Sequence, residues 1–186
     1  MENLKSLSLI CNILVVITII SMSLGDSSVL QPNDAEFIAK MCKQTPYPSF
    51  CLQSLQAYPQ SSSADAKGLA LIMVDVIKAK ITDAVDKINQ LLPGSSGEDK
   101  KSLGGCLKIY KLLLEFIPGI VYSIANSEDY VDVAFYEEGT IFSEAKSCEA
   151  RFSAGKSPLT SENSGVNNAA QVGKAITKIA FNITTG

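Results

Sequence analysis

Apolar residues recur at helical spacing in four separate stretches of this chain, and this pattern constrains the fold more than any other feature. Between Asp65 and Leu92 the apolar residues are separated by steps of three or four, which places them on one face of an α-helix. This stripe consists of Ala70, Met73, Ile77, Ile81, Ala84, Ile88 and Leu91. Asp65 offers a capping side chain at the start, and the segment "PGSSG" ends the pattern. The stretch is therefore predicted to be one long amphipathic helix.

Three further stretches have the same spacing. The second stripe consists of Leu103, Cys106, Tyr110, Leu113, Ile117, Ile120 and Ile124. The third consists of Val131, Ala134, Ile141, Ala145, Cys148 and Phe152, and it is interrupted by Glu138 and Gly139. The fourth consists of Val166, Ala169, Gly173, Ile176, Ile179 and Ile183. Because the connections are short and no stretch alternates with period two, we predict an all-α fold with an antiparallel up-down four-helix bundle over residues 61–186.

The segment that precedes the bundle, residues 26–60, contains two shorter apolar groups on either side of Pro46 and Pro48. The groups consist of Phe37, Ile38 and Met41 before the prolines, and Phe50, Leu52 and Leu55 after them. Such a segment is typical of a short helical hairpin, with the prolines at its bend. We expect this hairpin to be exposed at one end of the bundle.

The first 25 residues have the pattern of a secretory signal peptide. Lys5 precedes an apolar run over residues 7–22, and Ser23 and Gly25 fit the small residues of a signal-peptidase site. The run is shorter than the ~20 apolar residues that a membrane span needs and contains polar side chains. We therefore expect cleavage after Gly25 rather than a membrane anchor, and a single secreted domain over residues 26–186.

Export makes disulfides the expected state of the cysteines. Loss of residues 1–25 removes Cys11 and leaves Cys42, Cys51, Cys106 and Cys148, an even number. Cys106 and Cys148 lie on the stripes of the second and third bundle helices, which are neighbours in an antiparallel bundle. A bond between them needs no strain, and it leaves Cys42 to pair with Cys51 within the hairpin.

The residue types argue against a metal site, a cofactor or catalysis. The chain has no histidine, which removes the commonest general base at neutral pH and a frequent zinc ligand. The spacings C-x8-C and C-x41-C match neither paired zinc ligands nor a C-x-x-C redox motif. No glycine-rich phosphate loop is present. We therefore expect no cofactor, no metal and no enzymatic activity.

The charged residues of the chain limit the kinds of partner that we expect, and one motif is a candidate for modification. The net charge is −3, and no cluster of Lys or Arg occurs, so neither nucleic acid nor an anionic membrane is an expected partner. The segment "SEDYVDVAFYEEG" is acidic, but the adjacent Glu137 and Glu138 point in different directions on a helix, and we interpret the segment as a solvated face. Asn182 heads the sequon Asn-Ile-Thr and is a candidate glycosylation site.

Four segments point to a known family: "CKQTPYPSFC", "LALIMVDVIKAK", "CLKIY" and "SCEARF". They resemble the plant invertase and pectin methylesterase inhibitors, and the resemblance extends from about Asp34 to Ile183. It implies a four-helix bundle with an N-terminal helical hairpin and disulfides from the first to the second and from the third to the fourth cysteine. It also implies a protein of the cell wall or vacuole that binds pectin methylesterase or acid invertase, about 1:1, and blocks its substrate cleft.

The chain departs from one motif of that family. Tobacco-type invertase inhibitors carry a Pro-Lys-Phe segment at the start of the third bundle helix, whereas this chain has "NSEDYVDVAF", with neither proline nor lysine. Asp129, Tyr130, Val131 and Asp132 lie about there and are the expected partner contacts, and we hypothesise that Asp129 and Asp132 make binding sensitive to pH. The departure slightly favours pectin methylesterase as the target. A carrier of small apolar ligands and a helical signalling ligand remain as alternative classes.

Overall fold

The computed structural model describes residues 32–126, 131–153 and 155–183, and these residues contain six α-helices and no strand. The predicted signal peptide, residues 1–25, and the expected contacts Asp129 and Tyr130 lie outside the described residues. The helices are α1 (Pro32–Cys42), α2 (Pro48–Gln56), α3 (Ala66–Leu91), α4 (Gly97–Asn126), α5 (Val131–Glu149) and α6 (Thr160–Ala180). Short 3-10 turns, Pro59–Ser63 and Leu92–Gly94, precede and follow α3.

Helices α3 to α6 form the predicted four-helix bundle. Each packs against the next along the chain, and α6 returns to α3, so the four helices enclose one core. Contacts between residues far apart in sequence show that neighbours run antiparallel: Lys67 at the start of α3 reaches Ala125 at the end of α4. The all-α prediction is confirmed.

The apolar stripes supply the core. Every member of the second stripe is buried, including Tyr110, which is completely enclosed. The first stripe is buried from Ala70 to Ile88, and the side chain of Asp65 caps α3 by accepting a hydrogen bond from the backbone N–H of Gly68 at 2.7 Å. Burying one such face on each helix is what drives four amphipathic helices together.

The two disulfides join the cysteine pairs that the sequence suggests. Cys106 and Cys148 link α4 to α5 with their Cα atoms 5.2 Å apart. Cys42 and Cys51 link the end of α1 to α2 with their Cα atoms 5.5 Å apart, and both are buried. The second bond therefore closes the hairpin formed by α1 and α2.

The position of this hairpin differs from the expectation. It lies along the side of the bundle rather than exposed at one end, because Ile38, Met41 and Leu55 join the common core. The hydroxyl of Tyr47, in the bend, accepts a hydrogen bond from the side chain of Gln171 in the middle of α6 at 3.2 Å. The apolar groups on both sides of the bend needed a surface to cover them, and the flank of the bundle provides it.

Among the described residues, no helix is long and apolar enough to cross a bilayer. The same residues contain no group of three or more acidic or cysteine side chains that could hold a metal ion.

Candidate docking surface on helices α4 and α5

Of the expected partner contacts, the structure describes the side chain of only one. Asp132 is exposed in the first turn of α5, and Val131 begins that helix. Asn182, the candidate glycosylation site, is exposed just after the end of α6 with a φ of 52°. The roles of these residues remain predictions.

Exposed apolar side chains mark the same region of the bundle. Among the described residues, six large apolar side chains are exposed, and four of them lie in the last two turns of α4 and the first two turns of α5. The four are Val121, Tyr122, Val133 and Tyr136, and we call the last three of them the α4–α5 surface. Tyr122 and Tyr136 are 61% and 72% exposed. Contiguous exposed apolar side chains are a common mark of a protein-binding surface.

The packing of α4 against α5 brings Tyr122 and Val133 to one level of the bundle. A Cβ at Gly119 would lie 3.5 Å from the Oε2 atom of Glu137, so these positions face each other. Because the helices are antiparallel, the residues one turn after Gly119 on α4 lie beside the residues one turn before Glu137 on α5. Tyr122 is therefore level with Val133, and Tyr136 follows Val133 by three residues on the same face.

Lys67 fixes the end of α4 next to this surface. Its Nζ atom donates to the backbone carbonyl of Ala125 at 2.9 Å, and it lies 5.8 Å from the centre of the Phe181 ring. A cation at the C-terminal end of a helix is favoured by the helix dipole. Sequence reasoning missed this contact, because nothing near Lys67 in the sequence indicates its distant partners.

Glu138 contradicts the interpretation of the acidic segment as a solvated face. The residue is completely buried, its Oε1 atom accepts a hydrogen bond from the hydroxyl of Thr177 at 3.2 Å, and its Oε2 atom has no partner. Burial raises the pKa of this carboxyl from 4.5 to about 8, although the Thr177 hydrogen bond and the charge of Lys174 oppose the shift. The sequence contained the signal, because Glu138 lies four residues after Ala134 and three before Ile141 on the third stripe.

The carboxyl group of Glu137 is also enclosed, but less completely than that of Glu138. Its side chain is half-buried against α4, and its Oε2 atom is enclosed without a hydrogen-bond partner. Burial raises its pKa above the usual value. The two residues point in different directions, as predicted, but neither is freely solvated.

The fold and the exposed surface define a disulfide-linked helical bundle with an apolar patch on its outer side. The chain belongs to the plant invertase/pectin methylesterase inhibitor family, whose family model matches residues 36–183. The resemblance drawn from the four sequence segments is thus confirmed, and it places the chain in a family of enzyme inhibitors.

This chain is similar to relatives named as inhibitors of each of the two target enzymes. An Arabidopsis thaliana protein named cell wall / vacuolar inhibitor of fructosidase 1 is 34% identical over 147 residues, which is 77% of this chain and 69% of the relative. A pectinesterase inhibitor from Actinidia deliciosa is 31% identical over 150 residues, which is 79% of this chain and 78% of the relative.

Two crystal structures of pectin methylesterase inhibitors from Arabidopsis share the fold. A mutant form matches with a TM-score of 0.66 at 18% identity and covers 77% of this chain and 96% of its own length. The other matches with a TM-score of 0.57 at 18% identity and covers 79% of this chain and 97% of its own length. At this identity the likeness shows the fold alone.

Proposed function

We propose that this protein is a secreted inhibitor that binds pectin methylesterase about 1:1 through the α4–α5 surface and blocks its substrate cleft. The observation that carries this proposal is the position of the surface. The exposed side chains Val133 and Tyr136 lie on the first turns of α5, beside the segment where partner contacts are expected. Membership of an inhibitor family supports the class of activity.

The chemistry of the surface suits a protein partner. Tyr122 and Tyr136 combine a large apolar ring with a hydroxyl that can form a hydrogen bond, and tyrosine is enriched among the residues that dominate binding energy. The exposed carboxylate of Asp132 lies at the edge, where a charge stays partly solvated and contributes to orientation. Because the side chains project from packed helices, little backbone conformational entropy is lost on binding.

Pectin methylesterase is the first candidate for two reasons. The pectinesterase inhibitor among the relatives matches this chain over 150 residues. The Pro-Lys-Phe segment of invertase inhibitors has no counterpart in "NSEDYVDVAF".

Acid invertase is the second candidate, and a specific observation favours it. A relative named as an inhibitor of fructosidase is 34% identical to this chain over 147 residues. An inhibitor that lacks Pro-Lys-Phe would need to reach the invertase cleft with other side chains, and Tyr130 to Val133 occupy those positions.

The proposed location is the apoplast, with the vacuole as the alternative. The signal-peptide pattern of residues 1–25 supports export, and two disulfides are typical of proteins that mature in an oxidising compartment. The name of the fructosidase-inhibitor relative refers to both the cell wall and the vacuole.

The test is a titration of recombinant residues 26–186 against each enzyme at acidic pH. We expect pectin methylesterase activity to fall to its minimum at about one inhibitor per enzyme, and acid invertase activity to remain. Loss of invertase activity alone would replace the first candidate by the second. Full activity of several isoforms of both enzymes at excess inhibitor would overturn the proposal.

A further inference from the structure

The carboxyl group of Glu138 occupies a place where three helices meet. It projects from α5, accepts a hydrogen bond from Thr177 of α6, and packs against Gly173 of the same helix. A Cβ at position 173 would lie 2.9 Å from Oε1 of Glu138 and 2.8 Å from the Cδ1 atom of Ile77 on α3. The absence of a side chain at Gly173 therefore makes the room that the carboxyl group fills.

This place suits a neutral carboxylic acid better than a carboxylate. An ionised carboxylate can accept about four hydrogen bonds, whereas here only one donor reaches the two oxygens and Oε2 has none. Bulk solvent does not reach the group, because Glu138 is 0% exposed. An unpaired charge enclosed in this way is strongly destabilising, and the group instead keeps its proton.

The charged groups around Glu138 are few. The charge of Lys174 acts on it from α6, and the charge of Glu137 acts on it from its own helix. The ammonium group of Lys174 lies over the ring of Phe135, 4.1 Å from its centre, and against Gly139. Lys174 therefore also contacts an aromatic ring, and Glu137 brings a second negative charge.

The two halves of α5 are held by different contacts. The disulfide between Cys106 and Cys148 attaches the C-terminal half to α4 covalently. The N-terminal half has no such link and depends on packing around Ala134, Glu138 and Ile141. A change at Glu138 therefore acts mainly on the half of α5 that carries Val133 and Tyr136.

We propose that Glu138 makes the packing of the N-terminal half of α5 dependent on pH: the half-helix is seated while the carboxyl is protonated and loosens when it ionises. The sign follows from proton linkage. Between the usual pKa of 4.5 and the folded-state pKa of about 8, the folded protein binds a proton that the unfolded chain has released. The contribution of Glu138 to the free energy of unfolding is therefore most favourable at acidic pH and becomes less favourable as the pH rises through this window. The inference is independent of which enzyme is the target.

The test is hydrogen exchange of the mature protein at pH 5 and pH 8, which lie within this window. Protection factors, which remove the intrinsic effect of pH on exchange, are compared for residues 135–141 and residues 144–149. In the unmutated protein we expect protection of the first range to fall at least about tenfold, and protection of the second range to fall less.

Two variants, each with one substitution in α5, test whether Glu138 causes the fall in protection. Glu138→Gln keeps the shape and an acceptor for Thr177 but cannot ionise, so we expect the fall across residues 135–141 to shrink to about twofold or less. Glu144→Gln is the matched control, because Glu144 is a partly exposed carboxylate on α5, and it should behave like the unmutated protein. An equal fall in all three proteins, or none in the unmutated one, would overturn the proposal.

A second measurement needs no variant that could fail to fold. The 13C chemical shift of the Glu138 carboxyl, followed against pH in the folded protein, reports its protonation directly. Titration well above 4.5 supports the proposal, and titration near 4.5 overturns it.

Discussion

Helix α5 carries glutamates near its middle and at its C-terminal end, and the structure gives their carboxyl groups opposite surroundings. Near its C-terminus, Glu149 accepts hydrogen bonds from Thr160 and Asn163, so both of its oxygens have partners. Nearer its N-terminus, Glu137 and Glu138 each have one enclosed oxygen without a partner. The first arrangement fastens α5 to α6, and the second leaves buried groups that favour a proton.

The pKa values follow the donors rather than burial alone. Burial acts to raise the pKa of Glu149, but hydrogen bonds from Thr160, Asn163 and Ser157 outweigh it, and the pKa is lowered. Glu138 is buried more deeply than Glu149 and meets only one donor, and its pKa rises. The comparison teaches that burial and the number of donors together decide whether a carboxyl of this bundle favours the charged or the neutral form.

The largest loss of stability is expected when the disulfide that links the C-terminal half of α5 to α4 is removed. The chain-entropy model assigns about 4 kcal/mol to the Cys106–Cys148 bond, which spans 42 residues, and about 3 kcal/mol to Cys42–Cys51, which spans nine. Replacing Cys106 and Cys148 by serine should therefore lower the free energy of unfolding in urea more than the matching double substitution in the hairpin. Equal decreases in the free energy of unfolding would show that the Cys106–Cys148 bond stabilises the protein no more than the Cys42–Cys51 bond.

Reduction of the hairpin bond should act locally. We expect loss of Cys42–Cys51 to increase hydrogen exchange in α1 and α2 before the bundle helices, because this bond lies between those two helices. A simultaneous change in the bundle would contradict this order.

The next largest effect is expected at Glu149. Glu149→Ala should lower the free energy of unfolding at neutral pH by about 1–3 kcal/mol, because it leaves the buried Asn163 without one of its partners. The lowered pKa predicts that this contribution is present above pH 4.5 and is lost as the pH falls below it. Urea denaturation of both proteins over this range measures it, and a difference that grows with acidity would contradict the assignment.

A substitution in the α4–α5 surface should have a smaller effect, and this effect should be on binding rather than on stability. Tyr136→Ala should weaken inhibition of the target enzyme about tenfold, corresponding to about 1.4 kcal/mol, because the exposed ring is the expected anchor. Leu112→Ala is the control, since Leu112 is also exposed on α4 but lies outside the α4–α5 surface. Equal inhibition constants for the two variants would exclude this surface from the interface.

The smallest effect is expected at Glu137. Glu137→Gln should stabilise the protein at neutral pH by about 0.5 kcal/mol or less, because the side chain is only partly enclosed and water screens its charge. The raised pKa means that the gain should vanish at acidic pH, where the carboxyl is protonated in both folded and unfolded protein. A gain that persists at acidic pH would have to come from packing.

The sequence predicted most of the fold and less of the candidate site. Stripes such as Leu103 to Ile124 identify a helix because their spacing is a local property, and the structure buries every member of that stripe. The hairpin was recognised, but not its position along the flank of the bundle, since the contact of Tyr47 with Gln171 joins residues far apart in sequence. The same holds for Tyr122 and Val133, which share a surface only because α4 packs against α5.

The sequence by itself determined the helices, the cysteines available for pairing and the family, because periodicity and motif spacing are properties of neighbouring residues. Only the tertiary structure decided the surroundings of each carboxylate. Glu137, Glu138 and Glu149 are alike in sequence, and they differ in whether Thr160, Asn163 or Thr177 lies within reach. Burial and hydrogen-bond donors come from distant segments, and these set the free energy of ionisation.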